Sequence, residues 1–335
     1  MVTPGALEPQ GAPSSVLDAV ADALGERAER HAPLGTRTTY RVGGDAGVLF
    51  EAHDEHDLAL VHAVLVSAAA PVPVLVLGEG SNLLVADAGF PGVVVHLGAG
   101  FDWVEIRSSA LRAGGAAKLP VVARKSAGAG LHGLEWAVGV PGSVGGGLRM
   151  NAGGHGSDIA AVLSRYRVFD LGTGEGLDAH PGALCLGYRR SSLAATEVVV
   201  WAEFSLQGGD SALAQETVAD IVRWRRLHQP GGSNAGSVFV NPEGDSAGRL
   251  VEAAGLKGKR LGTAQVSTKH ANFIQADRGG SADDVWRLIE HVRTVVLEHS
   301  GVALVPEVRT VGFGPHGPST STSTSTSTST GGRDS

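Results

Sequence analysis

The 335-residue chain is short of several residue types, and each shortage closes off a class of protein. It has one cysteine, Cys185. It can therefore form no intrachain disulfide and no multi-cysteine metal site, and a reducing compartment, the cytoplasm, is its natural home. Cys185 itself lies in the strand-like CLGYRRS and reads as buried packing. Lysine is scarce: 5 against 22 arginines, and with 34 acidic residues the formal net charge is −7, without a basic block. Nucleic acid and anionic membrane surfaces are not expected partners. No long apolar run is unbroken, because Leu58 to Leu77 is interrupted by His62, Ser67, Pro71 and Pro73. That stretch reads as a helix followed by a buried strand, not a membrane span. The N-terminus lacks the cationic and apolar regions of a signal peptide. Neither a P-loop nor G-x-S-x-G occurs, which counts against ATP hydrolysis and α/β-hydrolase chemistry. His53, His56 and His62 with Asp54 and Asp57 span a helix start with no i, i+4 pair on one face, so no metal site is expected.

Glycine is what the chain has in excess: 49 residues, roughly twice the usual share. Only 15 prolines accompany them and no G-X-Y period appears, so the glycines belong to a folded protein. With 42 % hydrophobic and 18 % charged residues, the chain can bury a sizeable core in two or three domains. Excess glycine then marks backbone turns or close approach of a ligand.

The pattern divides the chain into blocks. Residues 1–15 and 314–335, the latter with six Ser-Thr pairs from Ser319 to Thr330, lack core-forming residues and read as disordered. Block 16–97 alternates a helix (Val16 to Glu29), the strand-like TTYRVGG, a strand (Val48 to Glu51), a helix N-capped by Asp54, and strands Val72 to Leu77 and Val93 to Leu97. Block 98–212 is mixed α+β around a glycine-rich stretch from Gly128 to Gly156. Block 213–313 has helices at Thr217 to His228, Ala247 to Ala254 and Ser281 to His299, with short strands at Ser237 to Val240, Asn272 to Gln275 and Val308 to Val311.

Three glycine strings bear on chemistry. GAGLHG, Gly128 to Gly133, fits G-x-G-x-x-G, but a helix precedes it and Glu135 comes too soon after it for a dinucleotide fingerprint. It reads as a helix C-terminus ending on Gly128. GEGSN, Gly78 to Asn82, sits between the apolar runs VPVLVL and LLVA; it is either a hairpin turn or a backbone nest for an anion. GVPGSVGGG, Gly139 to Gly147, strengthens the anion reading, since Pro141 and Ser143 open a helix whose N-terminus could face the same charge.

Taken in order, TTYRVGG (38–44), GEGSNLLVADAGFPGVVV (78–95), GLEWAVGVPGSVGG (133–146), MNAGGHG (150–156), GYRRS (187–191), NAGSVFVNP (234–242) and VPEVR (305–309) resemble the UDP-N-acetylenolpyruvoylglucosamine reductase family. The short spacing after GYRRS resembles its branch without an extra tyrosine-bearing loop. The resemblance implies an α+β fold: a two-part FAD-binding domain of the vanillyl-alcohol-oxidase type (16–97 and 98–212), then an α+β substrate domain (213–313). It implies a peptidoglycan-precursor enzyme in which NADPH reduces non-covalent FAD and hydride then passes to C3 of an enolpyruvyl ether on a UDP-sugar. The rival readings are another oxidoreductase of the same FAD-binding fold and a non-catalytic nucleotide-binding protein. Nothing fixes the oligomeric state; a monomer is compatible.

By the same resemblance Ser237 donates a proton to C2, while Arg189 and Glu307 stabilise the enolate-like intermediate. A carboxyl beside a second carboxylate works only if protonated or acting through a donor, so Glu307 is expected to have a raised pKa from nearby negative charge. The implied cofactor contacts are Tyr40, Arg41, Gly43, Gly78, Glu79, Gly80, Ser81, Asn82, Leu83, Gly139, Val140, Pro141, Gly142, Ser143, Gly145, Gly146, Asn151 and Gly153. Substrate contacts are Asn241, His228 and His155. The last two stand where relatives often carry lysine and tyrosine, and Val240 replaces another lysine. Lys257, Lys259, Arg260, Lys269 and Arg225 lie in the right block to replace the missing charge.

Overall fold

The computed structural model describes residues 11–314 and 317; the disorder expected of residues 1–15 and of the Ser-Thr tail falls outside them except at residues 11–15. Those are ordered, because Ala12 is buried with its N–H donating to the Pro91 carbonyl (3.0 Å) and the first helix starts at Ser14. In the first block a four-stranded sheet runs in the order Ala28–Ala32, Ala46–Ala52, Phe90–Leu97, Val74–Leu77. Its first pair is antiparallel and the others parallel. Helices Ser14–Leu24 and Glu55–Ser67 cover one face, with Leu17, Val20, Leu58 and Val61 meeting Val48, Phe50, Val93 and Val95. The second helix starts where local chemistry directs: Asp54 accepts from the N–H of Asp57. The first helix ends at Leu24, before the expected Glu29, because residues 28–32 are drawn into the sheet edge beside residues 46–50.

The second block is a five-stranded antiparallel sheet in the order Glu175–Ala179, Leu163–Asp170, Glu197–Ser205, Ala110–Gly114, Val104–Arg107. Helices Leu119–Gly128, Val144–Met150 and Ser211–His228 belong to its core; the last contributes Ala214, Val218 and Ile221. Strand Glu175–Ala179 is exposed at nearly every position, so it carries no alternating pattern by which to be read.

The third block pairs a three-stranded sheet, Arg260–Leu261, Ala264–Val266 and Ile274–Ala276, with helices Ala247–Ala253 and Ala282–Ser300. The long helix buries Val285, Leu288, Ile289, Val292 and Val296, a stripe at the helical period. Two devices tie this block to the first. Strand Arg309–Val311 pairs in parallel with Leu83–Val85, and Asp87 accepts from the N–H of Ala282 (2.9 Å) at the N-terminus of the long helix.

Three further local expectations fail. Ser237 to Val240 is not a strand; Phe239 alone makes an isolated bridge, to Pro306. TTYRVGG is turn and coil, with Tyr40 wholly buried. Cys185 is exposed and left-handed at φ 43°; it ends the short turn Pro181–Leu184, in which Leu184 takes the buried place.

Candidate active site

The loop Gly78–Asn82 joins strands Val74–Leu77 and Leu83–Val85, yet these two strands belong to different sheets. A hairpin is therefore ruled out. Gly80 is left-handed at φ +59°, and a Cβ there would lie 2.6 Å from the Arg37 carbonyl oxygen. Thr39 N–H donates to the Gly80 carbonyl (3.1 Å), so segment 37–39 holds the loop from behind. Among the described residues no protein group accepts from the N–H of Glu79, Gly80, Ser81 or Asn82. Four successive free donors form a nest, the geometry that holds an anion.

The second glycine loop faces this nest. Ser143 caps helix Val144–Met150, its hydroxyl accepting from Gly146 N–H at 3.3 Å. A Cβ on Gly78 would sit 2.6 Å from Ser143 Oγ, and one on Gly142 3.2 Å from Ser81 Oγ. The loops close on each other because neither carries side-chain bulk. Two cavities, of about 460 and 330 Å³, open on either side and share the wall formed by Val76 to Glu79, Ser143, Gly146 and Arg149. The cavities adjoin at this wall, which carries Glu79 of the nest; Gly80, Ser81 and Asn82 face the larger cavity.

The larger cavity also collects Arg189, Ser237 and Glu307, from three separate segments. Gly236, at φ +79°, turns the chain into Ser237. Asn272 clamps the residues just beyond: its side chain accepts from Phe239 N–H (2.9 Å) and donates to the Phe239 carbonyl (2.8 Å). Glu307 N–H donates to the Val238 carbonyl at 2.7 Å, which sets Ser237 and Glu307 on adjacent strands of chain. Asn82 Nδ2 donates to the Glu307 carbonyl (3.0 Å), linking this segment to the nest. Arg189, itself left-handed at φ 55°, donates to the Gly153 carbonyl (3.1 Å). Its Nε lies 2.8 Å from Glu307 Oε1, a close ion pair whose N–H is not aimed along the contact. Burial pushes the Glu307 carboxyl above its ordinary range while Arg189 pulls it down, and burial prevails. The direction is the expected one, and burial alone is enough to produce it.

Of the expected cofactor contacts, Gly78, Glu79, Gly80, Ser81, Asn82, Leu83, Gly139, Val140, Pro141, Gly142, Ser143, Gly145, Gly146 and Gly153 line one or both cavities. Tyr40, Arg41, Gly43 and Asn151 line neither. Asn151 instead donates to the Gly187 carbonyl (3.1 Å) and accepts from Ala160 N–H (3.0 Å), which positions the turn bearing Arg189. Asn241, His228 and His155 also lie off the cavity walls. Asn241 accepts from Ala247 N–H; His155 and His228 flank the indole of Trp224, with ring centroids at 5.2 and 4.6 Å.

Arg149 and Arg309 line the walls without any expectation from sequence, and Arg225 alone of the five proposed cations does so. None of these three has a carboxylate within 4 Å among the described residues, whereas Arg189 is paired with Glu307 and Arg260 with Asp277. Burial pushes the guanidinium pKa of Arg149 and Arg225 downward. Adjoining cavities with a nest, glycine walls and unpaired arginines fit a long, multiply anionic ligand such as FAD followed by a nucleotide sugar.

Fold and site together define a dinucleotide-binding protein of the flavin class, and residues 47–179 match the model of an FAD binding domain. Residues 228–311 match the C-terminal domain of UDP-N-acetylenolpyruvoylglucosamine reductase. A protein of that name from Symbiobacterium thermophilum (its reductase 2) is 42 % identical over 292 residues, covering 86 % of this chain and 94 % of the relative. One from Rubrobacter xylanophilus is 41 % identical, covering 84 % and 94 %. The crystal structure of the enzyme (MurB) from Thermus caldophilus superposes with a TM-score of 0.75 at 34 % identity, over 85 % of this chain and 99 % of that one. The chain belongs to the UDP-N-acetylenolpyruvoylglucosamine reductase family. No helix among the described residues is long and apolar enough to cross a membrane.

Proposed function

We propose that the protein reduces the enolpyruvyl ether of UDP-N-acetylglucosamine to UDP-N-acetylmuramate, with NADPH as the electron source, in the cytoplasmic synthesis of the peptidoglycan precursor. The observation that carries this reading is the meeting of Arg189, Ser237 and Glu307 in one cavity that continues into the anion nest. Bound FAD supplies two-electron hydride carriage between the nicotinamide and C3 of the enolpyruvyl group. The nest residues Glu79 to Asn82 and the loop Gly139–Gly146 would hold it.

Addition of hydride at C3 leaves an electron pair at C2 that spreads into a carboxylate already charged. Arg189 supplies the fixed positive charge that such a transition state needs. Ser237 delivers the proton to C2; a hydroxyl is a weak acid, so the strength of the carbon base drives the transfer. Glu307, on the adjacent segment and with its carboxyl pKa raised by burial, pairs with Arg189 and, in its protonated form, can restore the serine proton. All of these groups lie in one chain, so a monomer is sufficient.

The purified protein should be yellow, should bleach anaerobically with NADPH, and should recover its colour with the UDP-enolpyruvyl sugar. Failure of that sugar to reoxidise it would overturn the reading. The role of Glu307 is tested by pH. A raised pKa means that the needed protonated form is lost as pH rises through the folded-state value, so turnover should decline on that limb. Glu307→Gln should remove the limb, and an unchanged profile would exclude the role. By the same sign, the native carboxyl binds its proton more tightly than the unfolded one. Its contribution to stability is complete below the unfolded pKa and disappears as pH rises through the folded one.

A further inference from the structure

We propose that Arg149 is the counter-charge for the diphosphate of the bound dinucleotide, an inference that rests on the flavin reading. Arg149 lies in the last turn of helix Val144–Met150 and on the wall common to both cavities. The other charged residue of that wall, Glu79, is neutralised by Lys118 at 3.1 Å. Arg149 is thus the uncompensated charge at the junction.

Its guanidinium donates to the carbonyls of Leu193 (3.3 Å), Ala194 (3.1 Å) and Glu197 (2.7 Å). Those contacts orient the group without cancelling its charge. The Glu197 carboxylate is turned away to accept from Ala194 N–H (2.5 Å) and makes no ion pair within 4 Å with Arg149. Burial makes the charged form harder to keep; the Glu197 carboxylate, beyond ion-pair distance, offsets part of that, and Arg309 adds repulsion. A half-buried cation with no carboxylate in contact is held at a cost. An anionic ligand removes it.

A dinucleotide has its charge at its middle and neutral ring systems at its ends. Spread across both cavities, it places a ring system in each and the diphosphate at their junction. Beginning at that junction and running into the larger cavity, the free N–H groups of Glu79 to Asn82 supply hydrogen bonds, but backbone dipoles provide no full charge. Arg149 supplies it. The position is not set by a phosphate-binding sequence pattern, because the residue lies beyond the glycine string and reaches the junction only through the turn of a short helix.

The test compares the full-length protein with Arg149→Met and Arg149→Lys, reading bound FAD per chain, the FAD dissociation constant by flavin fluorescence, and the melting temperature with and without FAD. Arg149→Met should weaken FAD binding about 50-fold, the scale of one charge-assisted contact. Arg149→Lys, which keeps the charge but loses the fork to three carbonyls, should stay within about fivefold. Added salt should loosen FAD from the parent more steeply than from Arg149→Met. The proposal is overturned if Arg149→Met binds FAD like the parent. It is equally overturned if both variants lose FAD alike while the FAD-free melting temperature falls, which would make Arg149 a structural strap. A parent protein that binds no FAD would instead defeat the flavin reading and this inference with it.

Discussion

Two glycine-rich segments of similar composition behave in opposite ways. In Gly128–Gly133, the segment that fits a dinucleotide fingerprint, the backbone donors are consumed by protein groups. Ala129 N–H donates to Lys125, Gly130 N–H to Ala127, and Gly133 N–H to the Glu135 carboxylate, while Leu131–His132 pairs with Gln207–Gly208. In Gly78–Asn82, which fits no such fingerprint, four consecutive N–H groups have no acceptor among the described residues. The difference lies in where each segment leads the chain. The first ends a helix and closes a small antiparallel pair with a distant segment, so its hydrogen bonds are taken up by protein groups both near and far in the chain. The second leaves one sheet and enters another, and the crossing holds its donors away from any partner. Free donors, more than glycine spacing, mark the place for an anion.

Substitution of single glycines breaks this comparison. The largest effect is expected for Gly80→Ala, where a left-handed φ of +59° combines with a Cβ 2.6 Å from the Arg37 carbonyl. The nest should open and FAD affinity fall about 100-fold, the equivalent of the 1–3 kcal/mol of such strain; fluorescence titration with FAD reads it. Gly130→Ala is also strained, at φ +70° and 2.7 Å from the Gly209 carbonyl, but away from the nest. Unfolding in urea should show a loss of about 1–2 kcal/mol with FAD content unchanged. Gly128→Ala meets nothing within 4 Å at a helix end, and a gain of about 0.5 kcal/mol is expected. If Gly130→Ala loses FAD as Gly80→Ala does, the distinction between the segments fails.

Features governed by neighbours in the chain were legible. Asp54 and Ser143 cap helices where their side chains and spacing direct, and the anion reading of Gly78–Asn82 required only two glycines between apolar runs. Features governed by distant partners were not. TTYRVGG looks like a strand, yet Thr39 supports the nest and Tyr40 enters the core beneath the third block, with Val238, Phe239 and Leu250. The helix Ser211–His228 opens the third stretch of sequence but packs with the second block, because Ala214, Val218 and Ile221 find their apolar partners there. His155 and His228 stand at positions that suggest substrate contact, while in the structure both ring systems are turned onto Trp224.

By itself the sequence determined the flavin-family class and the two glycine loops, because these depend on local backbone freedom and on motifs kept in order. Only the tertiary structure decided which donors are left free, which arginines lack a carboxylate, and that burial outweighs Arg189 in raising the Glu307 pKa. Those properties are set by what is absent from a group's surroundings, and the surroundings are assembled from residues far apart in the chain.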